Sequence, residues 1–473
     1  MRNTTRRAFV LYFVIVAFFC GLGFMMYNFF VHGSEWTSNL VNQHIYKNGE
    51  ISSAGTIFDR NGTKLVYSED GVRIYNDNRT IRKAMLHAVG DNSSFIATGV
   101  QYVYSSKLSG YDFVNGVYNL KKYNRGNDIN LTLDADICKT AYEAMDGRKG
   151  TVAVYNYKTG AMVCMVSTPS YDPENKPDDI DDNPDKYEGV YLNRFVSGLY
   201  TPGSIFKVIT AISAIENIPD IYSQTFECTG EYATGDGKII CSGVHGTVDF
   251  EEALNHSCNV AFAQIAIQLG QSKLMQTAGE LGFNTKEDMD QITVSASKFD
   301  VSKTTKTDLG WAGIGQYTTM VNPYHMLTIM GAIANNGVAT KPYFVQNMVS
   351  PDGKVDVIGK TAVNKTVNVT PEIAAQMKKL LRSNVVNYYS DSTFPGLQMC
   401  GKTGTAEVEG GSHAWFVGFS QREDTPYAVV CIVEKSGSGL SVAGEVVNEV
   451  MQEDCASHQS LIPISETKRQ KLI

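Results

Sequence analysis

Three arginines, Arg2, Arg6 and Arg7, stand before an almost unbroken apolar run from Ala8 to Val31, interrupted by Asn28 and softened by Gly21, Gly23 and two tyrosines. A membrane-crossing helix takes about 20 such residues, whereas a cleaved signal peptide has a core of roughly 7–15 that ends in small residues. No Ala-x-Ala pattern follows the run, and the bulky Phe18 and Phe19 before Cys20 do not suit lipoprotein cleavage. The pattern predicts an uncleaved anchor over residues 8–31. The arginines put residues 1–7 in the cytoplasm and the rest of the chain outside.

From His32 to about Gly147 the chain turns polar and tyrosine-rich, cut by turn signals such as Arg60-Asn61-Gly62 and Tyr75-Asn76-Asp77-Asn78. Alternation in Val72–Tyr75 and Asn130–Leu133 predicts short strands, and a helix is expected from Asp134 to Met145. Residues 32–147 thus read as a small mixed stalk. After Gly150, apolar strands Thr151–Tyr155 and Ala161–Ser167 flank the hairpin turn Lys158-Thr159-Gly160. Helical periods follow through Val208–Ile215, Phe250–Asn255, Val260–Leu269 and Pro323–Asn335. Strands return at Leu397–Glu407, Ala414–Phe419 and Ala428–Glu434, before a last helix, Ala443–Met451. Two strands, many helices and three more strands predict an α+β domain over 148–453, its antiparallel sheet closed by both ends of the segment and flanked by helices. Residues 454–473 read as a polar tail.

Composition is ordinary for a globular protein, 43% apolar and 19% charged, and a length of 473 residues favours two folded parts. A net charge of −8 leaves no basic field for nucleic acid. The nine cysteines do not have the spacing of a dense disulfide scaffold. Cys228 and Cys241 are the one pair whose intervening loop suits a disulfide. Cys228, Cys241, His245 and His256 can be assembled into a metal site on paper, but without a Cys-x-x-Cys pair they are read as structural, and no metal or cofactor is expected.

The chemistry lies in three motifs in fixed order: Ser204 and Lys207 in Pro-Gly-Ser-Ile-Phe-Lys, Ser257 and Asn259 in Ser-Cys-Asn, and Lys402-Thr403-Gly404-Thr405. Serine is a poor nucleophile at neutral pH and needs a base beside it. Three residues apart on a helix, Ser204 and Lys207 share a face, so Lys207 can serve as that base if burial and a nearby cation keep it neutral. Lys402 is the candidate cation, Ser257 a proton relay and Asn259 a holder of a substrate amide. Gly404 leaves room for a peptide to lie along its strand between Thr403 and Thr405, and the Ser204 and Thr405 amides are candidates for an oxyanion hole. A second Ser-x-x-Lys, Ser295 and Lys298, lacks the Pro-Gly entry, and a second Lys-Thr-Gly at 158–160 suits its turn, so both read as structural.

Taken together, the three motifs match the S-x-x-K, S-x-N and K-T-G set of penicillin-binding proteins and serine β-lactamases. The sequence resembles the class B penicillin-binding proteins over most of residues 50–450. Gly55-Thr56-Ile57-Phe58-Asp59-Arg60-Asn61-Gly62, Leu131-Thr132-Leu133-Asp134, Ser170-Tyr171-Asp172-Pro173, Gly313-Ile314-Gly315-Gln316 and His413-Ala414-Trp415-Phe416-Val417-Gly418 are similar to further family segments. Ala54, where the family usually has arginine, and Val321–His325, where Thr-Pro-Leu-Gln is common, depart from it. The resemblance implies a D,D-transpeptidase that cross-links peptidoglycan stem peptides, or their lipid-linked precursor, through an acyl-enzyme on Ser204, without metal or organic cofactor. It also implies β-lactams as acylating mimics and a polymerase of the SEDS family as partner. A D,D-carboxypeptidase, a β-lactamase and a catalytically idle membrane scaffold stay open as alternatives.

Overall fold

The computed structural model describes residues 2–37, 46–47, 50–51, 54–110 and 125–461. The N-terminal run forms one helix, Arg2–Thr37. Its apolar part, Arg6–Gly33, has 28 residues, about 42 Å of helix against a hydrocarbon core of about 30 Å. Among the described residues it is the helix long and apolar enough to cross a membrane. Its large side chains, from Phe9 to Val31, remain exposed instead of packing on the protein. Asn28 satisfies its side-chain amide within the helix, donating to the Phe24 carbonyl at 2.9 Å.

The polar region contributes to a six-stranded sheet in the order Val355–Val357, Val345–Val349, Asp128–Leu131, Ile57–Phe58, Lys64–Glu69, Val72–Tyr75. Two segments singled out in the sequence meet here, because Ile57 pairs in parallel with Ile129. Gly55 is required by that approach, since a Cβ there would lie 1.9 Å from the Asn127 carbonyl oxygen. Asp59 ties the following turn by accepting the amides of Asn61 and Thr63 at 2.9 and 2.7 Å, and Asp134 caps the helix Ala135–Ala144. The division expected at residue 147 is crossed by this sheet. Its strands Val345–Val349 and Val355–Val357 come from the second part of the chain, because a chain returning after a long excursion pairs where an edge is free.

The second sheet is antiparallel throughout, in the order Met399–Val408, Gly411–Ser420, Tyr427–Val433, Gly150–Asn156, Met162–Thr168. Both ends of the segment close it, as the strand pattern predicts. Val152–Tyr155, Met162–Thr168 and Tyr427–Val433 are buried on both faces, which is why they read as continuous apolar runs. Cys164 faces Cys138 of the helix Ala135–Ala144. Tyr155, next to the Val154 that pairs with Cys164, points the other way, towards Gly331 of the helix Pro323–Ala334. That helix is apolar around most of its circumference and buried along its whole length.

Two boundaries differ from expectation. The last helix runs Glu445–Leu461, preceded by a π-helical turn Gly439–Gly444, so the tail read from residue 454 begins as helix; residues 462–473 lie outside the described residues. The helix Pro371–Asn384 was not predicted, although Thr370 caps it and Pro371 occupies its first turn, a legible start signal.

Candidate active site

Ser204 sits in a 3-10 turn, Gly203–Phe206, that leads directly into the helix Lys207–Asn217. The serine therefore precedes the α-helix proper by one turn. Two glycines and an aromatic cluster fix this turn. Gly203 adopts φ +54°, and a Cβ on it would lie 2.6 Å from the Thr405 carbonyl oxygen; Gly315 adopts φ +84°, and its Cβ would lie 2.1 Å from the Gly203 carbonyl oxygen. Phe206 is fully buried, stacked on Phe299 and edge-on to Phe283.

Lys207 is fully buried, with its Nζ 2.9 Å from Ser204 Oγ, 3.0 Å from Ser257 Oγ, 2.7 Å from the Ser257 carbonyl oxygen and 2.8 Å from Asn259 Oδ1. The Asn259 amide is oriented by its Nδ2, which donates to the Ile240 carbonyl at 3.0 Å, so its oxygen faces the lysine. Two of the four neighbours, the Ser257 carbonyl and the Asn259 amide oxygen, can only accept. A neutral amine has two N–H groups and one lone pair. Those two acceptors take the N–H groups and turn the lone pair towards the two serine hydroxyls. Burial, and secondarily the charge of Lys402, holds the Lys207 ammonium well below the ordinary lysine range, against an opposing pull from Cys241 and Cys258.

Ser257 and Asn259 bracket a helix start. Ser257 has φ +52°, the left-handed region, and Cys258, not Ser257, caps the helix Asn259–Glu280. A non-glycine residue held in that region costs roughly 1–3 kcal/mol and persists only where its surroundings impose it.

On the third wall, Lys402 is fully buried in the strand Met399–Val408, with its Nζ 3.1 Å from the Thr403 carbonyl oxygen. Burial pushes its ammonium down to about 7. Thr403 is half-buried, Gly404 buried and Thr405 exposed. The strand forms the edge of its sheet, so its outer side is available for an added strand. Gly404 has no room for a side chain: a Cβ would lie 2.9 Å from the Pro202 carbonyl oxygen and 3.0 Å from Ile205 Cγ2.

The structure thus brings together Ser204, Lys207, Ser257 and Asn259, with Lys402 near enough to act on Lys207 electrostatically and Thr403–Thr405 along the neighbouring edge. The second Ser-x-x-Lys lies elsewhere, with Ser295 donating to the Ser197 carbonyl at 2.9 Å, and Lys158–Gly160 forms its hairpin turn. Cys228 and Cys241 are free thiols. They and His245 converge with Cys258, whereas His256 stacks on the outside of His245.

Sequence reasoning missed Tyr389, whose hydroxyl accepts the Thr403 amide at 2.9 Å and bonds to Thr403 Oγ1 at 2.8 Å. It also missed Trp415 as a brace, its Nε1 donating to the Thr201 carbonyl at 3.0 Å just before the Ser204 turn. Trp415 lay in a quoted segment, but nothing in the Asn-Tyr-Tyr run around Tyr389 signals its role.

Residues 150–452 match the family model described as the penicillin binding protein transpeptidase domain. The chain is 30% identical over 353 residues to the peptidoglycan D,D-transpeptidase PbpA of Mycolicibacterium smegmatis, covering 68% of this chain and 70% of that one. It is 26% identical to the stage V sporulation protein D of Bacillus subtilis over 69% of this chain and 53% of that one. Among solved structures, the D,D-transpeptidase domain of a peptidoglycan glycosyltransferase from Eggerthella lenta superimposes with TM-score 0.74 at 26% identity, covering 87% of this chain and all of that one. An imipenem acyl-enzyme of penicillin-binding protein A from M. tuberculosis superimposes with TM-score 0.74 at 25% identity, covering 85% and 98%. A transpeptidase match over more than half of the chain, joined to an apolar N-terminal helix and a mixed α+β fold, makes this chain a member of the class B penicillin-binding proteins.

Proposed function

We propose that this chain is a membrane-anchored peptidoglycan D,D-transpeptidase in which Ser204 is the nucleophile and Lys207 its base. The observation that carries the reading is the buried Lys207 Nζ, 2.9 Å from Ser204 Oγ, with its two N–H groups committed to fixed acceptors. Neutral Lys207 takes the hydroxyl proton as Ser204 Oγ attacks the carbonyl carbon of the penultimate D-alanine. The oxyanion forms against the backbone N–H groups of Ser204 and Thr405, donors each worth about 2.7–4 kcal/mol when removed from such holes. Ser257 relays the proton to the departing D-alanine amine, and the C–N bond breaks. An amine from a neighbouring stem peptide then attacks the ester, loses its proton to Lys207 and frees Ser204. Asn259 orients Lys207 and holds a substrate amide. Lys402 meets the terminal carboxylate, which restores the charge that burial weakens. The donor peptide lies along Thr403–Thr405 as an extra strand.

The helix Arg2–Thr37 anchors the protein with its arginines in the cytoplasm and the catalytic domain outside. The membrane-proximal stalk is built from the part of the chain before residue 147 together with the strands Val345–Val349 and Val355–Val357 that complete its sheet, and the rest of 148–453 is the catalytic domain. The anchor and stalk face a SEDS-family glycan polymerase.

The test is a time course with fluorescent penicillin on the full chain beside Ser204→Ala and Lys207→Ala. A label that persists for many minutes and disappears with Ser204→Ala is expected. A stem pentapeptide given with and without an acceptor amine should yield cross-linked product in the first case. Rapid turnover of the label would establish a β-lactamase instead, hydrolysis alone in the presence of the amine a carboxypeptidase, and absence of label from folded protein would overturn the Ser204 assignment.

A further inference from the structure

Four side chains that acylation leaves unused converge behind the Ser257–Asn259 turn. Cys228 ends the strand Thr225–Cys228, Cys241 follows the strand Lys238–Ile240, His245 lies four residues further on, and Cys258 caps the helix Asn259–Glu280. Their three Sγ atoms and one imidazole nitrogen all lie within 4.8 Å of one another. We propose that they form a Cys3His site for Zn2+, and that the metal fixes the turn carrying Ser257 and Asn259.

The distances carry the proposal. Tetrahedral zinc, with Zn–S about 2.3 Å and Zn–N about 2.0–2.1 Å, sets its sulfurs about 3.8 Å apart and sulfur and nitrogen about 3.6 Å apart. Cys241 Sγ and Cys258 Sγ are 3.9 Å apart, and His245 Nδ1 lies 3.6 Å from Cys228 Sγ and 3.5 Å from Cys241 Sγ. Three of the six edges thus have the lengths of a zinc tetrahedron before any ion is placed, and the other three are no longer than 4.8 Å. No two of these sulfurs are bonded as a disulfide. Ordinary apolar packing of thiols does not gather an imidazole nitrogen onto two sulfurs. The donor set of three soft thiolates and a histidine selects zinc over magnesium or calcium.

The surroundings suit thiolates. Cys241 Sγ accepts the backbone N–H of Asn259 at 3.2 Å and Cys258 Sγ that of Ala261 at 3.4 Å. Binding releases three thiol protons and leaves His245 neutral, with Nδ1 on the metal. The ring of His245 stacks on His256, 5.3 Å between centroids, which holds its plane.

The site joins a weakly cored region to the catalytic cluster. The strands Glu231–Ala233 and Lys238–Ile240 bury little, Ile239 excepted. Yet the Ile240 carbonyl orients the Asn259 amide, and Cys258 is the residue between Ser257 and Asn259. A metal across Cys228, Cys241, His245 and Cys258 holds this hairpin against the helix start, so that Ser257 keeps its left-handed backbone and Asn259 keeps its oxygen on Lys207.

Full-length protein purified in detergent without chelator should carry one zinc per chain by elemental analysis, and Cys228→Ser and His245→Asn should each carry less than about a tenth as much. Reconstitution of chelated protein with Co2+ should give the visible bands of tetrahedral cobalt–thiolate, and chelation should expose three further thiols to a disulfide reagent. Loss of the metal should slow fluorescent-penicillin labelling by about tenfold, the low end of what losing a partner that orients a functional side chain costs, and Zn2+ but not Mg2+ should restore it. Where a variant does not fold, the wild-type cobalt spectrum and thiol count decide. Metal content is read without any β-lactam, so this proposal and the transpeptidase reading fail independently. Metal-free protein that labels at full rate and gives no tetrahedral cobalt spectrum would overturn the site. So would equal zinc in Cys228→Ser, or a Cys228–Cys241 or Cys241–Cys258 disulfide in freshly purified, labelling-competent protein.

Discussion

Replacing Asn259 by aspartate tests the neutral-lysine arrangement most directly, because it changes a charge and almost no volume. In the native protein a neutral amide oxygen lies 2.8 Å from Lys207 Nζ. A carboxylate there attracts an ammonium by roughly 6 kcal/mol at an effective dielectric of about 20. Asn259 is only half-buried, and halving the figure for solvent screening leaves about 3 kcal/mol favouring the protonated lysine. That corresponds to roughly a hundredfold fewer neutral amines at neutral pH, and to an acylation profile displaced upward by about two pH units. The assay is the second-order rate of fluorescent-penicillin labelling from pH 6 to 10 for wild type, Asn259→Asp and Asn259→Ala. Asn259→Asp should be about a hundredfold slower at neutral pH and recover at high pH. Asn259→Ala, which loses the acceptor without adding a charge, should be slow without that recovery. Labelling of Asn259→Asp within a few-fold of wild type, with an unmoved pH midpoint, would refute the view that neutral Lys207 is the base.

Lys402 should leave a signature in stability. Its folded-state ammonium is pushed down to about 7 by burial, below the ordinary value of about 10.4, so between these limits the unfolded chain binds the extra proton and stability rises with pH. The thermal midpoint of wild type relative to Lys402→Met should therefore rise from pH 7 towards 10, and a constant difference would exclude the burial effect. Gly331→Ala should destabilise strongly, since its Cβ would lie 1.6 Å from the Tyr155 hydroxyl, and Tyr155→Phe should recover only part of the loss in the double variant, because the ring carbons Cζ and Cε1 would still lie 2.5 and 2.9 Å away. Tyr155→Phe alone should be neutral or stabilising, because that buried hydroxyl has no hydrogen-bond partner among the described residues; denaturant titration reads all three. Tyr389→Phe should leave the Thr403 amide without its acceptor, an omission costing about 1–3 kcal/mol, seen as a lowered thermal midpoint together with slower labelling.

Much of the fold was legible because its strongest signals are local. The strands Gly150–Asn156, Met162–Thr168 and Tyr427–Val433 are buried on both faces, so each announces itself as an apolar run. The candidate site was legible for a different reason: Ser204 and Lys207 are close in sequence, and so are Ser257 and Asn259, so each half of the cluster carries its own spacing. What stayed hidden depends on long-range closure. Strand Val345–Val349 pairs with Asp128–Leu131 more than two hundred residues earlier, and no local pattern encodes such a partner. Tyr389 meets Thr403 from a π-helical turn, Val385–Tyr389, whose sequence has no period to reveal it. Cys258 read as the middle letter of a motif, and only the return of the chain after Cys228 and Cys241 places it among other thiols.

The three walls of the site are held by different means, and the difference follows from what each can bury. The Ser204 turn rests on an apolar cluster, Phe206 with Phe283 and Phe299, and on glycines that let backbones touch. The Lys402 wall is the edge strand of a five-stranded sheet, where strand pairing on one side and packed helices against the sheet fix position. At the Ser257–Asn259 wall the helices Phe250–Asn255 and Asn259–Glu280 are packed into the core, but the hairpin behind the turn has neither support. Its hairpin strands are short and mostly exposed, yet it must keep a serine in the left-handed region and aim one amide oxygen at a lysine. A structure with little apolar area to bury needs a stronger cross-link per residue than packing supplies. The close-set Cys228, Cys241, His245 and Cys258 lie where that need is greatest. Loss of that cluster should loosen Ser257 and Asn259 before it loosens Ser204 or Lys402.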